Sequence, residues 1–421
     1  MTNCNTLGHR LKRGLLKFSE KISLGLPKPG QKFVADMIYG ITASGSSMLT
    51  EISRALKEDI APIKTVNRLS RNLANFTHSQ VLMANLLEET RPRLGKNTML
   101  LVDLSDVTKP CSPKMEAIGS VKDGSTGEFA DGYWTMGVVA LTEETQHPVP
   151  VYEKLYPCTA QGGMGSNAET KAALQYLRQN FGANVVRVFD RGFDSGKMLR
   201  ELSGLGEKFI VRVAQNRVAV HGGKKTKTED IVRGLVCEHS LRFQSKSGDI
   251  SQCRIGMTQV AFPNLGNLKV NLVVCKNFGK EPLVLYTNLD ECLDTLALRV
   301  VKGYLMRWRI EEFYAFKKQG LGFENFRIRK LAAIQNLDIL LTIAAAFVAL
   351  QCDKINESSF TIELIRLSKP VQKLSNFLES TKFLCYALVA GFSRALAPLR
   401  CAISHFFLHP NPSSQLCLPG F

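Results

Sequence analysis

The stretch Y-L-M-R-W-R-I-E-E-F-Y-A-F-K-K, residues 304–318, constrains the fold of this chain more than any other sequence feature. On an α-helix, Arg307, Glu311 and Lys318 fall within an arc of roughly 60° of Tyr304, because each residue turns the helix by about 100°. The stretch therefore predicts one helix with a phenol, a guanidinium, a carboxylate and an ammonium on the same face. An ordinary amphipathic helix with a solvated face is the alternative, but such a face rarely mixes a tyrosine and one carboxylate with cations.

Two short apolar runs upstream of this stretch each end in an aspartate. Residues 98–102, T-M-L-L-V, precede Asp103, and residues 185–189, V-V-R-V-F, precede Asp190. Short apolar runs of this kind are typical of buried strands. Each run therefore predicts a strand that ends at its aspartate. After the second strand we expect a helix that Asp194 caps.

The spacing Y-x2-R-x3-E-x6-K, formed by Tyr304, Arg307, Glu311 and Lys318, resembles the signature of insertion-sequence transposases of the IS-four type. Members of this family have an RNase H-like catalytic domain with an Asp, Asp, Glu triad. The resemblance therefore implies that two catalytic aspartates lie upstream of Glu311, each at the end of a strand.

The two strand-end aspartates fit this expectation. D-R-G-F-D, which begins at Asp190, and D-L-S-D, which runs from Asp103 to Asp106, resemble the family's motifs around its catalytic aspartates. The resemblance thus implies a catalytic triad of Asp103, Asp190 and Glu311, with Asp106 as a supporting or substitute residue. Hard cations prefer carboxylate oxygens, so this triad predicts two Mg²⁺ ions, for which Mn²⁺ can substitute. Asp103 and Asp190 would share one ion, and Asp103 and Glu311 the other.

The charge of the chain indicates a nucleic-acid partner. Its formal net charge is +17, from 54 basic and 37 acidic residues, as is typical of proteins that bind a polyanion. The resemblance implies that the partner is double-stranded DNA, held at the transposon end by Tyr304, Arg307 and Lys318. Arg307 suits a bidentate phosphate contact and Lys318 a point-charge contact. Pairing of two ends implies a homodimer on DNA.

The N-terminal part predicts a helical region with a positive surface. Residues 1–32 contain seven Lys or Arg and one Glu, which indicates a basic arm on the phosphate backbone or, alternatively, a solvated and partly helical leader. Apolar residues at helical spacing between positions 33 and 73 then predict three short helices. A plain helical bundle is the alternative to a DNA-binding motif here. The outward side chains of the third helix, of types suited to phosphates and base edges, are Lys64, Asn67, Arg68, Arg71 and Asn72.

The patterns and the resemblance together predict an α/β protein. It would have an RNase H-like mixed sheet with flanking helices, a β-rich insertion before the last catalytic helix, and an α-helical N-terminal domain. Residues 107–132 and the basic segment at 224–227 have the composition of loops. The predicted divisions are a helical DNA-binding domain (1–95), the first part of the catalytic core (96–216), the insertion (217–290), the second part of the core (291–355), and a helical C-terminal region with a loose tail (356–421).

Other classes of protein receive little support. The longest uninterrupted apolar run, residues 339–350, is shorter than the roughly 20 residues that cross a bilayer, so residues 331–352 predict a core helix and no membrane contact. No secretory signal is recognisable. Eleven cysteines without a C-x-x-C pair indicate neither a disulfide framework nor a zinc site. A P-loop is absent, which predicts a reaction without a nucleotide cofactor. We expect a prokaryotic, cytoplasmic and nucleoid-associated protein.

The sequence therefore predicts a DNA transposase that excises and integrates an insertion sequence. It would do so by metal-dependent phosphodiester cleavage and strand transfer at the terminal repeats. Two alternatives remain open. One is an RNase H-like nuclease that cleaves without joining, and the other is a catalytically inactive, transposase-derived DNA-binding regulator.

Overall fold

The computed structural model describes residues 4–142, 147–158, 165–244, 250–266, 268–279, 281–290, 293–355, 358–368 and 383–399. The helices are α1 (Cys4–Ile22), α2 (Lys28–Ser44), α3 (Leu49–Leu56), α4 (Pro62–Asn75), α5 (Ser79–Thr90), α6 (Ser166–Phe181), α7 (Gly196–Gly204), α8 (Thr228–Gly234), α9 (Leu293–Leu305), α10 (Trp308–Ala315), α11 (Leu331–Asp353), α12 (Ser359–Ser368) and α13 (Cys385–Leu396). The strands are β1 (Met99–Thr108), β2 (Gly119–Lys122), β3 (Phe129–Leu141), β4 (Pro148–Tyr156), β5 (Val186–Phe189), β6 (Phe209–Arg212), β7 (Val218–His221), β8 (Lys224–Lys227), β9 (His239–Gln244), β10 (Ile250–Phe262), β11 (Leu268–Lys276) and β12 (Leu283–Thr287).

These strands form one mixed sheet in the order β2-β3-β1-β5-β6-β12-β11-β10-β7-β8, with β4 beside β3 and β9 beside β10. β1, β5 and β6 run parallel to one another, whereas β3 pairs antiparallel with β1 and with β4. The predicted mixed α/β architecture with flanking helices is confirmed at this level. Residues 217–290 are β-rich, and β12 joins their strands to β6.

The side chains of β1 alternate between the two faces of the sheet. Leu100 and Val102 belong to the apolar cluster that contains residues of α6 and α7, while Leu101 belongs to the cluster that contains residues of α9, α10 and α11. This alternation follows from the two-residue period of a strand. Asp103, two residues after Leu101, therefore lies on the face that α9 and α10 cover.

Helix α1 is packed into the protein and is not a free arm. Its residues Leu7, Leu11, Leu15 and Ile22 are buried, and it packs against α2, α5 and α13. Apolar residues at this spacing form one stripe, which buries one face of the helix and leaves the basic residues on the other. Most of the segment predicted as a basic arm or a partly helical leader is thus a docked helix. Contact between its cations and DNA stays a prediction.

Helix α11 is the central helix of the helical layer. It is long and apolar enough by composition to cross a membrane, but 83% of its most apolar 18-residue window is buried inside the protein. It packs against α2, α4, α5, α13 and β4. The predicted core helix is confirmed, and the contacts with α2, α4 and α5 attach the N-terminal helices to the rest of the chain. The predicted division into domains stays a prediction.

Two predicted loops contain regular structure. The segment 107–132 includes β2 and the first residues of β3, which pair as a hairpin from Gly119 opposite Gly132 to Lys122 opposite Phe129. The basic segment at 224–227 is strand β8, whose residues pair with β7. Composition favoured loops at both places. In the structure, pairing with a neighbouring strand provides hydrogen-bond partners for the backbone N–H and C=O groups there.

Candidate active site

Asp103 and Asp190 come together through the parallel pairing of β1 and β5. The paired register runs from Met99 opposite Val186 to Val102 opposite Phe189, so the two aspartates are the next residue on each strand. Asp190 ends its strand as predicted, but β1 continues to Thr108 because β3 pairs with it along its whole length. The prediction that the first strand ends at Asp103 is therefore wrong. The aspartates are nevertheless neighbours.

The stretch 304–318 is not the single helix that its periodicity predicts. Helix α9 ends at Leu305, α10 begins at Trp308, and the residues after α10, Phe316–Gly320, form a π-helical turn. At the break, the Arg307 N–H donates to the carbonyl of Tyr304 at 2.9 Å, three residues back instead of four. The polar stripe is thus divided between two helices and a π turn.

The guanidinium of Arg307 lies among the three predicted catalytic acids. Its Nη1 donates to Oδ2 of Asp103 at 2.9 Å, and its Nη2 donates to Oε1 of Glu311. Its Nε lies 3.9 Å from Oδ1 of Asp190. The structure therefore brings together, around one cation, three carboxylates that are spread over more than 200 residues of the sequence.

Tyr304 completes this cluster from the last turn of α9. Its hydroxyl donates to Oδ1 of Asp190 at 3.0 Å, and its ring centroid lies 5.8 Å from the guanidinium carbon of Arg307. Burial and the neighbouring Asp190 raise the pKa of Tyr304 to about 12, so its hydroxyl remains a donor at neutral pH. Tyr304 thus orients one carboxylate of the cluster.

The electrostatics of the cluster follow from shared burial. Burial raises the pKa of Asp103 to about 7; Arg307 opposes this shift, and Asp190 and Glu311 reinforce it. For Arg307, burial acts to lower the pKa, but Asp190, Asp103 and Glu311 outweigh it and raise the pKa above its ordinary value. Three acids and one guanidinium leave an excess of negative charge that can bind a further cation.

Lys318 and Asp106 form a second group beside the first. Lys318 Nζ lies 2.8 Å from Oδ2 of Asp106 and 3.3 Å from Oε1 of Glu324. The other oxygen of Asp106 accepts the N–H of Gly124 at 3.2 Å. Lys318 therefore holds Asp106 and not the three acids. It lies in the π-helical turn and beyond the break between α9 and α10, so the period of one continuous helix does not give its direction.

A buried cluster behind the site was not foreseen. Lys317 lies 2.7 Å from Glu153 of β4 and 2.5 Å from Asp338 of α11, and it donates to Thr342 at 3.0 Å. All three ionisable side chains are at most 2% exposed. The sequence signal was Asp338, directly before the apolar run 339–350 of a predicted core helix, because a buried carboxylate needs a partner.

Asp194 has a different role from the predicted helix cap. Ser195 caps α7, accepting the Met198 N–H at 3.1 Å through its hydroxyl. Asp194 instead lies 2.5 Å from Arg217 and accepts the Ala214 N–H at 2.8 Å. The prediction that Asp194 caps the helix is wrong, since a salt bridge across 23 residues takes its carboxylate.

The predicted DNA-binding side chains of α4 divide into two kinds. Lys64, Asn67 and Arg71 are exposed, as predicted. Arg68 instead donates at 2.8 Å to the buried Asp36 of α2 and to Glu58, so it holds the N-terminal helices together. The outward orientation predicted for Arg68 is wrong, because burial of Asp36 requires a cation beside it.

The comparison with protein families identifies the class of protein. The family model described as "Transposase DDE domain" matches residues 126–347, more than half of the chain. The chain therefore belongs to the transposase DDE domain family. Asp190 and Glu311 lie within the matched segment, and Asp103 precedes it.

A solved structure with a similar chain path is the piggyBac transposase synaptic complex with hairpin DNA, determined by cryo-EM. The sequence identity is 11% and the TM-score 0.44, with 99% of this chain and 86% of that chain covered. A similarity at this TM-score supports no conclusion about the site.

DDE transposases use divalent metal ions, and the acidic cluster suits one. Among the described residues, no three acids, histidines or cysteines stand close enough together to hold a metal as they are placed. The Arg307 guanidinium donates to both the Asp103 and the Glu311 carboxylates. The donor chemistry fits, since carboxylate oxygens that converge on one cation are the ligands hard divalent ions prefer.

Proposed function

We propose that this chain is a DNA transposase of the IS-four type, which cleaves the phosphodiester bonds at the ends of an insertion sequence and joins them to target DNA. The observation that carries the proposal is the convergence of Asp103, Asp190 and Glu311 on the Arg307 guanidinium. The strand order β4-β3-β1-β5-β6, with β1, β5 and β6 parallel, supports an RNase H-like core. Tyr304, Arg307, Glu311 and Lys318 fill every position of the family's signature.

We assign Asp103, Asp190 and Glu311 as the ligands of divalent metal, Mg²⁺ in the first instance. When bound, such ions activate the attacking oxygen and stabilise the leaving oxygen of a phosphoryl transfer. Side chains of this protein orient the metal ligands and bind the phosphate. Tyr304 orients the Asp190 carboxylate through its hydroxyl. Arg307 is placed to exchange a carboxylate for a phosphate, since both groups accept the same bidentate geometry.

The partner we infer is double-stranded DNA, and α1 offers a surface for it. Arg10, Arg13, Lys17 and Lys21 lie three or four residues apart, so they form one stripe on the exposed side of the helix. This stripe lines a groove of about 420 Å³ together with Arg93 and Lys354, and Glu89 in the same groove pairs with Lys21. We call this surface the α1 groove. Its charge is complementary to a phosphate backbone.

The test compares two adjacent glutamates of α10. Glu311 contacts Arg307 in the acidic cluster, whereas Glu312 pairs with Arg309 at 2.9 Å, outside the cluster. We expect Glu311→Gln to abolish cleavage and joining, because an amide is a poor ligand for a hard cation. Glu312→Gln should keep most of the activity. The substrate is a supercoiled plasmid that carries the encoding gene with its natural flanks, incubated with Mg²⁺ or Mn²⁺.

The outcomes separate the proposal from its alternatives. Cleavage of the flanks without joining would identify a nuclease. DNA binding without cleavage by the wild-type chain would identify a regulator. Activity that survives complete chelation of divalent metal would refute the three-acid site. A homodimer on paired ends and a prokaryotic, nucleoid-associated location belong to the same proposal.

A further inference from the structure

A row of three residues crosses β1, β3 and β4 behind the acidic cluster. Asp103 pairs with Gly137, and Gly137 pairs with Glu153. Directly paired residues point to the same face of a sheet, so the two acidic side chains flank a position without a side chain. The phenol of Tyr314 occupies this gap. A Cβ at position 137 would lie 2.3 Å from its hydroxyl and 2.8 Å from Glu153 Oε2.

Tyr314 connects the helix that carries Glu311 to the strand that carries Asp103. Its hydroxyl donates to the main-chain oxygen of Asp103 at 3.0 Å, and the side chain is buried. Tyr314 and Glu311 are three residues apart on α10. One turn of α10 therefore supplies both the Glu311 carboxylate and a hydrogen bond to the main chain of Asp103.

We propose that Tyr314, seated in the gap that Gly137 leaves, is a positioning residue that sets the separation of the Asp103 and Glu311 carboxylates. The proposal rests on the function proposed above, in which these carboxylates bind metal together. Ligands on different elements bind one cluster of ions well only if their geometry is held within about 0.5 Å. Arg307 joins the same carboxylates through a long side chain, whereas Tyr314 joins the elements that carry them.

The test is the binding of Mn²⁺ to the full chain without DNA, followed by electron paramagnetic resonance. Tyr314→Phe removes only the hydroxyl, and we expect it to weaken Mn²⁺ binding about 10-fold, the size typical of residues that orient metal ligands. Tyr133→Phe is the matched control. Its hydroxyl also donates to a main-chain oxygen, that of Glu116 at 2.7 Å, away from the acids. It should change the Mn²⁺ affinity less than twofold.

A second variant tests the gap itself. Gly137→Ala places a methyl group where the hydroxyl lies, so it should displace Tyr314 and weaken Mn²⁺ binding at least as much as Tyr314→Phe. Because the same hydrogen bond is lost, the double variant should bind Mn²⁺ no more weakly than Gly137→Ala alone. Additive losses in the double variant would overturn the proposal.

The experiment also distinguishes a failure of this proposal from a failure of the proposed function on which it rests. A wild-type chain that binds Mn²⁺, with binding lost in Glu311→Gln and unchanged in Tyr314→Phe, overturns the role of Tyr314 alone. Absence of Mn²⁺ binding both in the wild-type chain and in Arg307→Gln, which lacks the guanidinium that contacts the three carboxylates, overturns both proposals. Equal losses in Tyr314→Phe and Tyr133→Phe would show a general effect of hydroxyl removal and overturn the positioning role.

Discussion

The guanidinium of Arg307 takes the place among three carboxylates where a divalent cation would find its ligands. It donates to Asp103 and Glu311 and lies 3.9 Å from Asp190. Two unit charges about 4 Å apart interact by about 4 kcal/mol near a protein surface. A metal ion and Arg307 therefore compete for the same oxygens, and a phosphate that attracts Arg307 would release them.

This competition predicts the behaviour of a neutral variant. Arg307→Gln should bind Mn²⁺ in the absence of DNA several-fold more tightly than the wild-type chain, because three carboxylates then lack their resident cation. The same variant should cleave DNA more slowly, since the contact with phosphate is lost. Calorimetric titration with Mn²⁺ measures the first effect and the plasmid assay the second.

Arg309→Gln is the matched control for this prediction. It removes a guanidinium from the same helix, but one that pairs with Glu312 and not with the three acids. Its Mn²⁺ affinity should equal that of the wild-type chain. Weaker Mn²⁺ binding by a folded Arg307→Gln chain would show that Arg307 supports the metal site instead of competing for it.

At the level of residues, the sequence predicted which side chains meet but not what each one contacts. The family resemblance, together with spacing and strand-end position, selected Asp103, Asp190, Glu311 and Arg307, and the structure places them together. The contact of Arg307 with the acids was not predicted, because a spacing rule gives the face of a helix and not the charge opposite it. Arg68 shows the same limit, since its partner Asp36 lies on another helix.

The break between α9 and α10 shows what periodicity misses at the level of elements. Helical spacing continues through Met306 and Arg307, and neither residue of the break is Gly or Pro, although Gly303 lies in the last turn of α9. The contacts that accompany the break are tertiary: Tyr304 bonds Asp190 at the end of α9, and Arg307 bonds Asp103 at the start of α10. Local patterns cannot show contacts with strands that lie more than 100 residues away.

The buried cluster of Lys317, Glu153 and Asp338 gives a pH-dependent prediction. Burial raises the pKa of Glu153 to about 8, although Lys317 opposes the shift, whereas the ordinary value is 4.5. The folded chain therefore keeps a proton that the unfolded chain releases. The resulting contribution to stability is complete below about pH 4.5 and is lost as the pH rises to about 8.

Glu153→Gln removes this titration while it preserves the shape of the side chain. Between pH 5 and pH 8, the wild-type chain should lose more stability with rising pH than the variant, on the order of 1 kcal/mol per pH unit. Thermal unfolding at both pH values measures the difference. Glu312→Gln is the control, because the carboxylate that it removes lies outside the buried cluster. Its stability should depend on pH as that of the wild-type chain does. If the stability of Glu153→Gln also followed the wild-type pH dependence, the group with the raised pKa would be a residue other than Glu153.

Helix α1 carries a prediction about the α1 groove. Arg13 and Lys17 are exposed on its stripe. Changing both to Ala should weaken the binding of duplex DNA in Ca²⁺ and reduce the slope of log affinity against log salt by about 2, one for each phosphate contact. Lys171→Ala with Lys197→Ala removes the same charge from α6 and α7. Equal effects of the two pairs would show that only net charge matters.

On the scale of the whole molecule, the helices at the two ends of the described chain pack together. Helix α1 contacts α13, and α11 contacts α2, α4 and α5. The sequence predicted most of these helices from their apolar spacing, and it predicted the strands around the two aspartates. It could not predict that residues near position 10 pack against residues near position 390, because helical periodicity shows that a face is buried without showing what covers it.

Two glycines of α1 test how strongly this contact supports the folded chain. Gly8 lies against α13, where an added Cβ would be 2.2 Å from the main-chain oxygen of Ala395, whereas a Cβ at Gly14 meets nothing within 4 Å. Gly8→Ala must separate the two helices, so it should destabilise the protein by about 1–3 kcal/mol, the usual range for overpacking. Gly14→Ala should stabilise it by up to about 1 kcal/mol, because alanine favours helix over glycine. Thermal unfolding of the two variants should therefore shift in opposite directions from the wild-type chain. If Gly8→Ala raised the melting temperature as Gly14→Ala does, α1 would not be docked on α13 in solution, and a mobile basic arm would again be the better description of the N-terminus.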